Sequence, residues 1–277
     1  MKQIIFILTL SILFSCGQTE TKKVVSTYQN GKPEIVIYYP DIDDTLTYRK
    51  EVFYESGERS YIGYILNGTK DGIWTWWYEN GNKKDQCKYE DGYYVDTVYH
   101  WYESGKLKQI EIVEGRKVRT DGCCYCNGTI IRYYENGKIN EKFTSLDDKF
   151  QGEYESYDED GSWKMRTYRN DTLHGPTTEY IIDSGKVIII VGQYANGNET
   201  GLWKWLDKDS VLYQTAIYDN GVCNGEYLKY YTTGQIKEKA TMINGDYEGE
   251  LTYFDEKGIV TKVELYKNGI LQRTKKK

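Results

Sequence analysis

Tyr133-Tyr134-Glu135-Asn136-Gly137-Lys138-Ile139 is the stretch whose reading decides the fold. Two aromatics, a turn dipeptide, a cation and an aliphatic residue read as strand, tight turn, strand. The pattern recurs along the chain. The turn glycine falls at Gly57, Gly81, Gly105, Gly137, Gly161, Gly185, Gly234 and Gly258, with Asp209 standing in between Gly185 and Gly234. The steps are 24, 24, 32, 24, 24, 24, 25 and 24 residues. Gly31, in Tyr28-Gln29-Asn30-Gly31, is one more such turn upstream. A fixed period of this size means stacked supersecondary units rather than a compact enzyme core.

A second turn follows ten to twelve residues later, at Asn67-Gly68, Asp91-Gly92, Asn196-Gly197, Asn220-Gly221, Asn244-Gly245 and Asn268-Gly269. Each repeat is therefore two short strands and two turns. The intervening segments are rich in Tyr, Trp, Val, Ile and Thr, which suit a pleated surface. No apolar period of 3.6 is sustained, so helix is not expected. Only three prolines interrupt the strands. The expected fold is all-β, an elongated antiparallel single-sheet solenoid of hairpins. At about 4.8 Å per strand, nine repeats give a rod roughly 85 Å long.

The columns add detail. Four residues before the turn stand Phe53, Trp77, Trp101, Tyr133, Tyr157, Ile181, Trp205, Tyr230 and Phe254. A two-residue Asn-Gly loop would set Glu135 opposite Lys138 and Glu103 opposite Lys106. It would then pair Tyr134 with Ile139, Tyr102 with Leu107 and Tyr231 with Ile236. Trp77 would lie beside Lys84, Trp101 beside Lys108 and Tyr157 beside Lys164, placed for cation–π contact. A bulged turn shifts all of these by one.

Four segments are expected: a lipoprotein signal at 1–15, a lipidated tether at 16–27, the repeat domain at 28–270 and a basic tail at 271–277. Lys2 precedes a short apolar run that ends in Leu13-Phe14-Ser15-Cys16, the form of a secretory signal and too short for a confident span. That ending resembles the bacterial lipobox, which implies acylation of Cys16 and anchoring to a cell-envelope membrane, at the outer membrane or the periplasmic face. An ordinary cleaved signal is the plainer alternative. The formal charge of −6 argues against nucleic-acid backbone binding.

Five cysteines remain: Cys87, Cys123, Cys124, Cys126 and Cys223. Three of them fall in the eight-residue insertion that lengthens one step to 32. No second Cys or His pair completes a zinc set, so a local disulfide, with Cys87 as a possible partner, outranks a metal site. His100 sits in a variable strand column that reads as exposed, and His174 in a turn. No catalytic motif or cofactor-binding motif is present, so no enzyme and no cofactor are expected. Asp41, Asp43 and Asp44, and Asp158-Glu159-Asp160-Gly161, read as solvated turns rather than calcium ligands.

Aromatics are the remaining lead, with 29 Tyr and seven Trp. Most must be the packing of a single-layer sheet. Trp74, Trp76, Trp77, Trp101, Trp203 and Trp205 are the candidate binding face, suited to a protein or a glycan.

Tyr133 to Ile139 followed by Gly152-Glu153-Tyr154, and Tyr230 to Ile236 followed by Asn244-Gly245 and Glu248-Gly249-Glu250, resemble the bacterial variant of the MORN repeat. The resemblance covers roughly residues 28–270. It implies a non-catalytic scaffold that binds a protein or membrane partner. Similar proteins are described as antitoxin-like, which implies neutralisation of a partner toxin. A glycan-binding envelope protein is the third reading.

Overall fold

The computed structural model describes residues 20–41, 43–114 and 127–276. The lipobox and Cys16, and the insertion with Cys123, Cys124 and Cys126, lie outside the described residues. The described residues fall into two compact units that divide between Tyr93 and Tyr94. All described elements are strands. The first unit holds β1 (Thr21–Thr27), β2 (Pro33–Tyr39), β3 (Tyr48–Phe53), β4 (Arg59–Leu66), β5 (Thr69–Trp77) and β6 (Lys83–Glu90). The second takes in β7 (Tyr93–Trp101) from Tyr94 onward, then β8 (Leu107–Val113), β9 (Gly128–Tyr133), β10 (Ile139–Leu146), β11 (Lys149–Tyr157), β12 (Trp163–Arg169) and β13 (Thr172–Asp183). It continues with β14 (Lys186–Ala195), β15 (Asn198–Leu206), β16 (Leu212–Asp219), β17 (Val222–Tyr230), β18 (Ile236–Ile243), β19 (Asp246–Phe254), β20 (Val260–Lys267) and β21 (Ile270–Lys276). Within each unit the described ladders are antiparallel and join strands consecutive in sequence.

Residues 21–27, expected as tether, are strand β1 on β2. Residues 270–276, which take in most of the expected tail, are β21 on β20. Backbone pairing to a neighbour already in place overrides the polar character of both segments.

The two turns of a repeat differ in kind. In the second turns both residues have positive φ, as at Asn67 (50°) and Gly68 (81°), so these are type I′ turns. In the first turns only the glycine does. Gly137 N–H donates to Tyr134 O at 2.9 Å, and Tyr134 N–H donates to Lys138 O at 2.8 Å. That is a type I turn closed by a glycine bulge. The expected two-residue register is therefore off by one. Tyr133, not Tyr134, pairs with Ile139, Trp101 with Leu107, and Tyr230 with Ile236. Lys84 lies over Tyr78 rather than Trp77, and Lys108 over Tyr102 rather than Trp101. Trp163, not Lys164, pairs with Tyr157, and Glu135 lies in its loop.

Two repeats depart from the column. The bulge residue of the Asp209 turn is Ser210, whose N–H donates to Asp207 O and whose φ is 61°. At Gly185 the turn is type I′, with Ser184 and Gly185 both at positive φ, and it joins the long strands β13 and β14.

Core residues in a single layer lie in a line across the strands. In the second unit Val98 pairs with Glu111, Glu111 with Ile130 and Ile130 with Phe143, all four buried. Further along, Trp203, Ala216 and Ala240 are buried on either side of Tyr227 in the same kind of row. Each repeat completes its burial only against its neighbours, so stability is a nearest-neighbour property.

Both strand ends are fastened from one repeat to the next. At the first-turn edge the tyrosine three residues before the bulge glycine donates its hydroxyl to a backbone carbonyl of the next repeat. Tyr54 reaches Trp77 O at 2.7 Å in the first unit; Tyr134 reaches Tyr157 O and Tyr231 reaches Phe254 O at 2.8 Å in the second. At the other edge the type I′ glycine donates its N–H to the previous repeat, as Gly68 to Leu46 O and Gly221 to Glu199 O. Where Asp207 or Asp255 replaces the tyrosine, its carboxylate instead accepts N–H bonds within its own turn.

Candidate binding face

A glycine on β4 makes the first aromatic site. Gly63 faces Trp74 of β5, and a Cβ at Gly63 would overlap the indole ring. Gly72, at φ 67°, bulges β5 so that the indole can lie over Gly63. Trp74 is buried, and its Nε1 donates to Tyr64 O at 3.2 Å. Around it stand Tyr61, Trp76 and Tyr89, with ring centroids 5.8 to 5.9 Å away. Lys70 Nζ sits 4.5 Å from the Trp74 centroid, 4.8 Å from Tyr89 and 5.8 Å from Trp76. Trp76 is half-buried and presents the accessible part of this cluster.

The second unit repeats the device. Gly192 faces Trp203, where a Cβ would again overlap the indole, and Gly201 supplies the bulge at φ 67°. Trp203 is buried among Tyr194 (5.3 Å) and Tyr218 (5.8 Å), and half-buried Trp205 lies 6.5 Å from it. Glu199 holds the position that Lys70 holds in the first cluster, two residues before the bulge glycine. Burial, with help from Glu199, pushes the Tyr194 phenol above its ordinary range; burial does the same for Tyr218.

Within each unit the expected tryptophans occupy different environments. Trp74 and Trp203 are buried. Trp77 points to the face of β5 opposite Trp76, where Arg59 lies 5.4 Å from its centroid. Trp101 stacks on Tyr99 at 5.9 Å. Trp163 and Tyr180, absent from the expected face, form a parallel cross-strand pair with an interplanar angle of 2°.

Polar chains share this surface in the second unit. Arg132 bonds Gln109 and Glu141, and Tyr154 donates to Glu141 at 2.5 Å. Burial, reinforced by that bond, pushes the Tyr154 phenol well above its usual value. His100, expected on an exposed face, is half-buried with Nε2 3.1 Å from Glu111 Oε1. His174 is in β13 rather than in a turn. The acidic stretches are turns: Asp44 accepts from Leu46 N and Thr47 N, and Asp160 from Ser162 N. Among the described residues no cluster of His, Cys, Asp or Glu could hold a metal ion, and no helix is long and apolar enough to cross a membrane. Cys87 is buried opposite Trp74, and burial raises the thiol pKa of half-buried Cys223.

This geometry defines a class: an open antiparallel hairpin-repeat sheet, all-β, with aromatic clusters seated on glycines. The MORN repeat variant matches it at residues 70–91, 127–146 and 224–244. Those segments contain Lys70 to Trp77, the Tyr133–Ile139 turn and the Tyr231 rung. MORN repeats are binding modules for proteins or membranes and are not typically catalytic. No curated protein matches the chain. Among solved structures, one of a TcdB2-TccC3-Cdc42 assembly is 12% identical over 90% of this chain, with a TM-score of 0.20. The match spans 16% of that structure's chain. A porin-like protein from Bacteroides uniformis ATCC 8492 is 15% identical over 92% of both chains, with a TM-score of 0.15.

Proposed function

We propose that this chain is a non-catalytic, protein-binding repeat scaffold, anchored in a bacterial cell envelope by lipid on Cys16. The observation that supports the binding role is the pair of half-buried indoles, Trp76 and Trp205. Each is held rigid from below by a buried tryptophan on a glycine. Rigid amphipathic aromatics bind at low entropic cost and recur as interface anchors. The flanking charge is opposite in the two clusters, Lys70 in one and Glu199 in the other, which suits a partner with charges of both signs. The Leu13-Phe14-Ser15-Cys16 sequence supports the anchor.

The test has two arms in intact bacterial cells. Metabolic labelling with an alkyne fatty acid should mark the wild-type chain and not Cys16→Ala. A photo-crosslinking residue at position 76 or 205 should give one discrete protein adduct, and one at Ile73, exposed on the other face of β5, should not. Unlabelled wild-type protein removes the anchor from the proposal. Equal adducts from 73 and 76, or none, remove the binding face. An adduct with a toxin whose killing this chain suppresses would turn the scaffold into an antitoxin.

A further inference from the structure

A cleft of about 560 Å³ opens in the first unit where β3 begins and β4 ends. Its walls are apolar: Pro40, Tyr48, Tyr64, Ile65 and Leu66. Tyr64 and Leu66 are 48% and 43% exposed, so among the described residues they leave apolar surface open. The volume is in the range of small-molecule sites, which combine apolar walls with a few converging polar groups. Here those groups are Arg49, Glu20 and Asp71, with Thr47 beside them.

The charges are unevenly held. Arg49 bonds Glu51, whose side chain is 6% exposed and which also receives Arg59 at 3.3 Å. Two guanidiniums thus share one buried carboxylate. The second carboxylate on Arg49 is Glu20, at 2.7 Å but 42% exposed. Exposed pairs of this sort contribute little and exchange easily. Arg49 is itself fixed, with its guanidinium 3.9 Å from the Tyr38 ring centroid. The result is an oriented fork beside an apolar cleft, closed by a replaceable carboxylate.

Arg49 pairs with Tyr64 across β3 and β4, and Tyr64 with Asp71 across β4 and β5. Positive, aromatic and negative positions therefore follow in one row, with the outer two about 10 Å apart by strand spacing. Asp71 repels a second negative charge at the far end.

We propose that this cleft binds a small apolar molecule with a single carboxylate, which replaces Glu20 on Arg49 while its body lies on Tyr64 and Leu66. A fatty acid and the free C-terminus of an apolar peptide share that chemistry. The probes are decanoate and N-acetyl-leucyl-leucine, titrated calorimetrically into the full chain, with decanol and decyltrimethylammonium as controls. One of the two carboxylates should bind, identifying its source, and both controls should bind more weakly. Glu20→Gln should tighten binding up to about fivefold, since it removes a competing exposed ion pair. Tyr64→Ala should weaken it. Arg49→Gln should weaken it about tenfold, the size of one charged hydrogen bond. Because Arg49 also neutralises buried Glu51, the variants at exposed Glu20 and Tyr64 decide the matter if Arg49→Gln unfolds. The proposal fails if neither carboxylate binds, if decanol or the ammonium binds as well, or if Glu20→Gln does not tighten binding.

Discussion

The Trp74 and Trp203 clusters use the same scaffold and differ in how their polar atoms are satisfied. Each tryptophan lies on a glycine eleven residues before it, beside a bulge glycine of φ 67°. Trp74 Nε1 has a carbonyl partner, whereas Trp203 Nε1 is buried with none. Lys70 caps the first cluster by cation–π contact, while Glu199 stands at that position in the second. The backbone device is thus reusable, and the polar fittings are particular to each copy. A buried donor without a partner costs about 1–3 kcal/mol, so the second copy is the weaker.

The sharpest way to break this comparison is to remove the shared feature. Gly63→Ala and Gly192→Ala should each cost about 2–3 kcal/mol, since the new methyl must displace an indole in a packed site. Urea unfolding of each variant, followed by tryptophan fluorescence, checks this; unchanged midpoints would mean that the glycines are incidental. Next, Trp74→Phe and Trp203→Phe lose similar volume but differ in the N–H. Trp74→Phe should be more destabilising by about 1–2 kcal/mol, because only it forfeits a hydrogen bond and only Trp203→Phe deletes an orphan. Equal losses would remove the distinction between the clusters. Tyr54→Phe and Tyr231→Phe, one rung in each unit, should each cost about 1 kcal/mol by the same measurement. Lys70→Met should cost about 0.5–1 kcal/mol.

The smallest effect is in pH. The Tyr194 and Tyr218 phenols are raised by burial. Their neutral forms favour the fold, so that contribution is complete below their ordinary value of 10.0 and is lost as pH rises through the folded values. Tyr194→Phe should flatten the alkaline limb of a stability–pH curve, read by circular dichroism.

The glycine spacing made the fold legible because each turn needs a residue at positive φ and few residue types accept it. The turn type was not legible in the same way. Asn-Gly occurs in both the type I′ turns, as at Asn67-Gly68, and the bulged turns, as at Asn136-Gly137, and only the strands' twist and pairing choose between them. That ambiguity moved every cross-strand pair by one residue. It also concealed the tyrosine rung, since Tyr54 and Tyr134 looked like neighbours of the aromatic column rather than donors to the next repeat. The burial of Trp74 and Trp203 could have been read from Gly63 and Gly192, which share one offset. Trp76 and Trp77, adjacent and alike in sequence, were separable only by knowing which face of β5 each occupies. The Arg49 cleft left no signal, because Glu20, Arg49 and Asp71 are far apart in the chain: Glu20 reaches Arg49 of β3 from just before β1, and Asp71 lines the same cleft from β5.

The rungs at the two strand ends also govern how the chain bears load. Pulled along its length, a hairpin sheet opens one repeat at a time, each releasing about 80 Å of chain for 24 residues. A repeat held by a tyrosine hydroxyl at one edge and a glycine N–H at the other must break both fastenings together. A repeat where Asp207 or Asp255 replaces the tyrosine has no hydroxyl rung at that edge, because the carboxylate accepts N–H bonds within its own turn. An optical trap would then record two classes of step, and the weaker class would give way first.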